Sequence, residues 1–282
     1  MRVRPSVLFV GHGSPLMAAV PGEAGTALMQ FGRGLGEPRA VLVISPHWET
    51  QEPTVSTAAA LATMHDFNGF PAELDAIHYP ASGSAEAARE VTEALAAAGL
   101  TAATHPSRGL DHGAWVPLRY LLPAAAVPIV PLSIQHHGGP HHAYRVGQAL
   151  APLRQRGWLI VGSGNITHNL GDWQQAKLGA AVDTAYAQRF ADWIYAAIAA
   201  GQVEPLLRYR DHHPDGMRAH PRDEHLLPLF TALGAAGPGG PARAVHRGIR
   251  DHVIAMDSYV LAEESETATS ALSGSAGNSS RS

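Results

Sequence analysis

The 282-residue sequence contains no cysteine. Disulfides, thiolate zinc sites and cysteine-ligated iron–sulfur clusters are excluded, and any metal must be held by imidazole and carboxylate. Charge is also scarce, at 16% of residues with a net value of −4. The arginines are scattered rather than striped, so no basic field is available for a nucleic-acid backbone and no nucleic-acid partner is expected. No run of about 18 apolar residues occurs, and no cationic segment leads into an apolar core at the start, so no membrane association is expected and the expected compartment is the cytoplasm. No glycine-rich loop ends in Lys-Ser or Lys-Thr, and Gly162-Ser163-Gly164-Asn165 lacks the third glycine of a dinucleotide fingerprint. Phosphate cofactors therefore have little support, and the absence of Gly-X-Ser-X-Gly weighs against a serine hydrolase.

What is abundant is histidine, seventeen residues against twenty lysines and arginines together. The doubled ones, His136-His137, His141-His142 and His212-His213, lie near glycine and proline and read as exposed loop residues. Others end apolar strands. Val7-Leu8-Phe9-Val10 runs into Gly11-His12-Gly13, a buried strand followed by a tight turn whose glycines are expected to leave room for a ligand beside His12. Val41-Leu42-Val43-Ile44 leads to His47, and Trp158-Leu159-Ile160-Val161 leads through Gly162-Ser163-Gly164 to His168. Buried strands of α/β sheets deliver functional side chains at their carboxyl ends.

Strand and helix patterns alternate along the chain, predicting an α/β fold with a central mixed β-sheet, helices on both faces and a single domain over residues 1–262. Residues 263–282 are Ser, Ala, Gly and Thr without apolar period and are expected to be a disordered tail. Ser84 to Gly99 reads as a helix capped by Ser82 or Ser84. Val127 to Ile134 reads as a strand whose prolines suggest an edge or irregular position. Pro221 has first-turn character, predicting a helix from there to about Leu233. Val253 to Leu261 reads as the final strand.

Three strand ends carrying His12, His47 and His168, with Glu224 and His225, can converge on one pocket. Neutral imidazoles with open coordination positions suit Fe(II) that activates oxygen or Zn(II) that activates water, and the spacing does not choose between them. Neighbours on a helix point about 100° apart, so only one of Glu224 and His225 is expected to face a metal.

The motifs Gly11-His12-Gly13-Ser14-Pro15, Ser45-Pro46-His47-Trp48, Asp66-Phe67 with Gly69-Phe70-Pro71, Leu110-Asp111-His112-Gly113-Ala114-Trp115, Thr167-His168-Asn169-Leu170, and His220-Pro221 with Glu224-His225 fall in one order. The sequence resembles, in that order, the class III extradiol ring-cleavage dioxygenases, and most of all their DOPA-dioxygenase branch, over about Val7 to Tyr259. The resemblance implies an oxidoreductase whose partners are a small-molecule catechol and O2, with one Fe(II) per chain. It implies His12, His47 and His225 as metal ligands, His168 as the catalytic histidine, which can also approach the metal when no substrate is bound, and His112 as a catalytic histidine near substrate and oxygen. Zn(II) is expected to compete for such a site in purified protein. A zinc-dependent hydrolase on the same histidines, a metal-chelatase-like protein using His12, and a non-enzymatic metal-binding protein stand as alternatives. Arg108, His78, Tyr79 and the loop Met64 to Pro71 are candidate substrate contacts. The particular catechol, the native metal and the oligomeric state are left open.

Overall fold

Val7 to Val10, Val41 to Ile44 and Trp158 to Val161 are each wholly buried, as strands must be when both faces of a parallel sheet are covered. The computed structural model describes residues 3–240 and 243–265. Its main sheet contains β1 (Val3–Gly11), β2 (Ala40–Glu49), β3 (Thr54–Ser56), β4 (Ala103–His105), β5 (Ile129–Ile134), β6 (Trp158–Gly164), β7 (Arg243–His246) and β8 (Ser258–Ser265). They lie in the order β4-β3-β5-β2-β6-β1-β8-β7. The central run β5-β2-β6-β1 is parallel, while β8 pairs antiparallel with β1 and with β7, so the sheet is mixed. The principal helices are α1 (Gly22–Gly32), α2 (Ala85–Ala97), α3 (His112–Leu121), α4 (Gly139–Leu150), α5 (Leu170–Lys177), α6 (Ala185–Ala199) and α7 (Leu227–Ala236).

Strand β6 shows how both faces are covered. A Cβ on Gly162 would fall on the backbone of Pro228 in α7, and one on Gly164 on the backbone of His225 just before it. Ser163, between them, points the other way and donates to the Gly113 carbonyl in α3. All of α7 is buried, and it carries apolar residues all round because it lies between the sheet and α4. Gly162→Ala is expected to cost about 1–3 kcal/mol, because the obstacle is backbone rather than a side chain that can turn aside. A denaturant midpoint equal to that of the parent protein would contradict this close approach.

Several sequence expectations need correction. Strand β5 is interior, flanked by β2 and β3. Its Pro131 is tolerated beside a partner that pairs only at Val55 with Leu132, so the ladder on that side makes few demands. The last main helix starts at Leu227 rather than near Pro221, and the proline in its first turn is Pro228. Glu263 to Ser265 belong to β8, where pairing with β1 compensates for their polarity; the remainder of the expected tail, 266–282, lies outside the described residues. The helix after Gly83 spans Ala85–Ala97 with Ser84 as its cap, its hydroxyl accepting from the Ala87 amide at 3.2 Å. No described helix is long and apolar enough to cross a membrane.

Candidate metal centre

The parallel strands end on one side of the sheet, and the histidines follow their ends. His12 immediately follows β1, and its amide donates to the Gly164 carbonyl at the end of β6. His47 sits near the end of β2. His112 is the first residue of α3, placed there by Asp111, whose carboxylate caps the helix at the Ala114 amide and accepts from Ser45 at 2.5 Å. His168 follows β6 and is fixed by its amide to the Ala219 carbonyl. His225 stands in the turn before α7.

The structure brings all five together. The ring centroids of His12, His47 and His225 form a nearly equilateral triangle of 5.3, 5.4 and 5.1 Å. His112 lies 4.1 Å from His47 and 5.6 Å from His12. His168 stacks on His225 at 3.5 Å and 16°. Potential ligand atoms of His12, His47 and His112 all fall within 4.8 Å of one another, as do those of His168, Glu224 and His225.

Hydrogen bonds settle which ring nitrogens are free. The Ser163 hydroxyl donates to the Gly113 carbonyl, so it must accept from His12 Nδ1, 3.0 Å away. Neutral His12 therefore carries its proton on Nδ1 and a bare lone pair on Nε2. His225 Nδ1 donates to Glu224 Oε1 at 2.9 Å, and His112 Nδ1 to the Asp66 carboxylate at 3.1 Å. These partners leave each Nε2 open, the usual arrangement behind metal-binding histidines. His12 Nε2 and His47 Nε2 face each other at 3.3 Å. Two imidazole nitrogens that close need a cation or a proton between them, so the donor set fits a metal.

Burial holds His12 and His225 well below the ordinary imidazole range, reinforced by neighbouring histidines. It carries His47 to about 3 and His168 to about 4. Buried His220, whose Nε2 donates to the Ile166 carbonyl at 2.8 Å, is likewise lowered to about 3. Each is neutral at pH 7, as a metal ligand must be. The unfolded chain takes up these protons near 6.5 and the folded chain does not, so stability is fully present above about pH 6.5 and falls as pH drops toward the lowered values. The urea midpoint of metal-free protein is expected to fall between about pH 7.5 and about pH 5. A midpoint that stays level or rises would contradict neutral burial.

Other residues hold the site rather than enter it. Arg108 donates to the His47 carbonyl at 3.1 Å and to Asp111 at 2.8 Å, with its guanidinium over Trp48. Burial would raise Asp66, but the side-chain and backbone hydrogen bonds it accepts from His112 bring its carboxyl down to about 2. Tyr79 is buried and donates to the Leu122 carbonyl, which removes it as a substrate contact. The glycines around His12 do not make room for a ligand: a Cβ on Gly11 would meet the Met256 backbone, and one on Gly13 the Met256 thioether. Asp66 and Ser163 belong to sequence motifs yet carry no chemical signal until their partners are seen.

Residues 10–260 match the family described as the catalytic LigB subunit of aromatic ring-opening dioxygenase. The 4,5-DOPA dioxygenase extradiol of Beta vulgaris is 38% identical over 255 residues, 89% of this chain and 94% of that protein. The protein of the same name from Escherichia coli (strain K12) is 36% identical over 263 residues, 92% of this chain and 95% of that one. A crystal structure of an uncharacterized protein from Escherichia coli K12 matches with a TM-score of 0.73 at 31% identity, covering 89% of this chain and 97% of that chain. With these histidines gathered at the strand ends and the family match spanning nearly the whole described chain, the protein belongs to the LigB family of aromatic ring-opening dioxygenases, the class III extradiol group.

Proposed function

We propose that the protein cleaves a catechol ring with O2, beside rather than between the two hydroxyls, at a single Fe(II) held by His12, His47 and His225. The observation that carries this reading is the near-equilateral triangle of those rings, together with Nδ1 partners that leave Nε2 of His12 and His225 free. Three protein ligands leave open positions for a substrate that chelates through two oxygens and for O2. When bound, Fe(II) supplies Lewis acidity toward the phenol and redox capacity toward O2.

The chain's own groups divide the remaining work. His168 is neutral and takes the second phenolic proton; Glu224 Oε1, 3.7 Å from its Nδ1, stabilises the imidazolium so formed. His112, its Nδ1 committed to Asp66, offers Nε2 as a second proton acceptor. Phe67 stands edge-on to His112 at 5.8 Å and 89°, giving an aromatic wall against which a substrate ring can lie. The Trp115 indole donates to the Met64 carbonyl at 3.0 Å and ties the loop carrying Asp66 and Phe67 to α3.

A DOPA-like catechol is the first substrate to test, given relatives named 4,5-DOPA dioxygenase extradiol. Anaerobically Fe(II)-loaded protein, then exposed to air, is expected to give a yellow ring-cleavage product from at least one of a DOPA-like, a caffeate-like and a lignin-derived catechol. A colourless result with all three at full iron occupancy would overturn the reading in favour of a zinc hydrolase.

A further inference from the structure

We propose that Asp66 and Glu224 are matched positioning residues, each carboxylate shared between one ligand histidine and one acid–base histidine. The pairing rests on the ligand set given under Proposed function. Asp66 Oδ1 accepts the His112 amide at 2.8 Å, and both its oxygens lie 3.1 Å from His112 Nδ1. Its Oδ2 is also 3.9 Å from Nδ1 of His47. Glu224 Oε1 accepts from His225 Nδ1 at 2.9 Å and lies 3.7 Å from Nδ1 of His168. The two histidines in each pair are in ring contact, at 4.1 Å for His47 with His112 and 3.5 Å for His168 with His225. His12, which has no acid–base neighbour of this kind, uses the hydroxyl of Ser163 instead.

The division within each pair follows from distance. The short contact is a charge-assisted hydrogen bond that fixes tautomer and ring plane. The longer contact exceeds hydrogen-bond range, so there the carboxylate acts through its charge, favouring the orientation that turns Nδ1–H toward it and Nε2 away. The order is reversed between the two pairs. Asp66 bonds the acid–base histidine and steers the ligand, whereas Glu224 bonds the ligand and steers the acid–base histidine. Neither carboxylate needs to touch the metal or the catechol to affect both binding of iron and turnover.

The two sites differ in what an amide would do, which makes the inference testable. In Asp66→Asn, if the amide oxygen keeps the Oδ1 position beside the His112 amide and Nδ1, the NH2 group takes the Oδ2 position, 3.1 Å from His112 Nδ1 and 3.9 Å from His47 Nδ1, donor against donor at both. Glu224 Oε2 makes no hydrogen bond, and its nearest cation is Arg222 Nε at 3.5 Å. In Glu224→Gln the remaining oxygen can keep the position of Oε1 toward both histidines, and the NH2 group displaces no hydrogen bond. Four variants are compared: Asp66→Ala, Asp66→Asn, Glu224→Ala and Glu224→Gln. Fe(II) affinity is measured anaerobically against a coloured chelator, kcat and KM for a catechol are measured at saturating Fe(II), and circular dichroism checks folding. Both alanine variants are expected to lose ~10–100-fold in Fe(II) affinity and ~100-fold in kcat at saturating metal, with KM changed by no more than about threefold. Asp66→Asn should resemble Asp66→Ala, whereas Glu224→Gln should recover most of what Glu224→Ala loses. The amide variants preserve volume, so the contrast between them survives if an alanine variant folds poorly. The proposal is overturned if the two amides behave alike, or if either folded alanine variant changes iron affinity without kcat, or kcat without iron affinity. Failure of the parent protein to turn over any catechol would instead overturn the ring-cleavage reading, and the Fe(II) affinities of the four variants would then decide the shared-carboxylate proposal.

Discussion

His168→Ala is expected to lower kcat by ~1,000-fold while leaving Fe(II) bound in full stoichiometry, the loss anticipated when a positioned general base is removed. The expectation comes from where the ring sits. His168 stacks on His225 rather than closing the triangle with His12 and His47, and Glu224 lies beside its Nδ1. Burial lowers it to about 4, so it is uncharged and able to accept a proton at neutral pH. The cost should appear in kcat rather than KM, since a catechol bound through both oxygens does not need His168 to hold it. Anaerobic iron analysis together with steady-state oxygen uptake checks both halves. Loss of bound iron would make His168 a ligand, and undiminished kcat would remove it from the reaction.

The second large effect separates His225 from His112 as the third ligand. Ligand atoms of His112 lie within 4.8 Å of those of His12 and His47, whereas those of His225 cluster with His168 and Glu224, so ligand-atom proximity alone would choose His112. Ring geometry favours His225, which is nearly equidistant from the other two at 5.4 and 5.1 Å, whereas His112 is lopsided, 4.1 Å from His47 and 5.6 Å from His12. Accordingly His225→Ala, like His12→Ala, should weaken Fe(II) binding by more than the ~100-fold at the upper end for outer-shell residues. Turnover should fall to background in both. His112→Ala should keep its iron and lose ~100-fold in kcat. Iron retained by His225→Ala and lost by His112→Ala would reverse the two roles.

The parts of this centre legible in sequence are those carried by strands. Apolar runs ending in Gly11-His12, Pro46-His47 and Gly164 through to His168 announce themselves because a buried strand has a recognisable composition and its carboxyl end a recognisable use. The cap of α2 is legible as Ser82 or Ser84, hydroxyls preceding an Ala- and Glu-rich run, and the fold uses Ser84. Asp66 was not legible as an anchor, because it stands in an aperiodic loop and its partners are 46 residues away at His112 and elsewhere at His47. Gly11 and Gly13 misled for a related reason. A glycine declares that something approaches closely but not what, and here it is Met256, 245 and 243 residues further along the chain. The start of α7 is not where Pro221 alone points. Pro221 and Pro228 both suit a first turn, but the intervening residues must place Glu224 and His225 in a turn at the site, so the helix begins after them.

Oxygen uptake by the anaerobically Fe(II)-loaded protein on addition of a DOPA-like catechol tests the central claim most directly. One O2 consumed per catechol, with a yellow muconic semialdehyde as product, is the predicted result. Full iron occupancy with no oxygen consumed, for that catechol and for caffeate-like and lignin-derived ones, would contradict it.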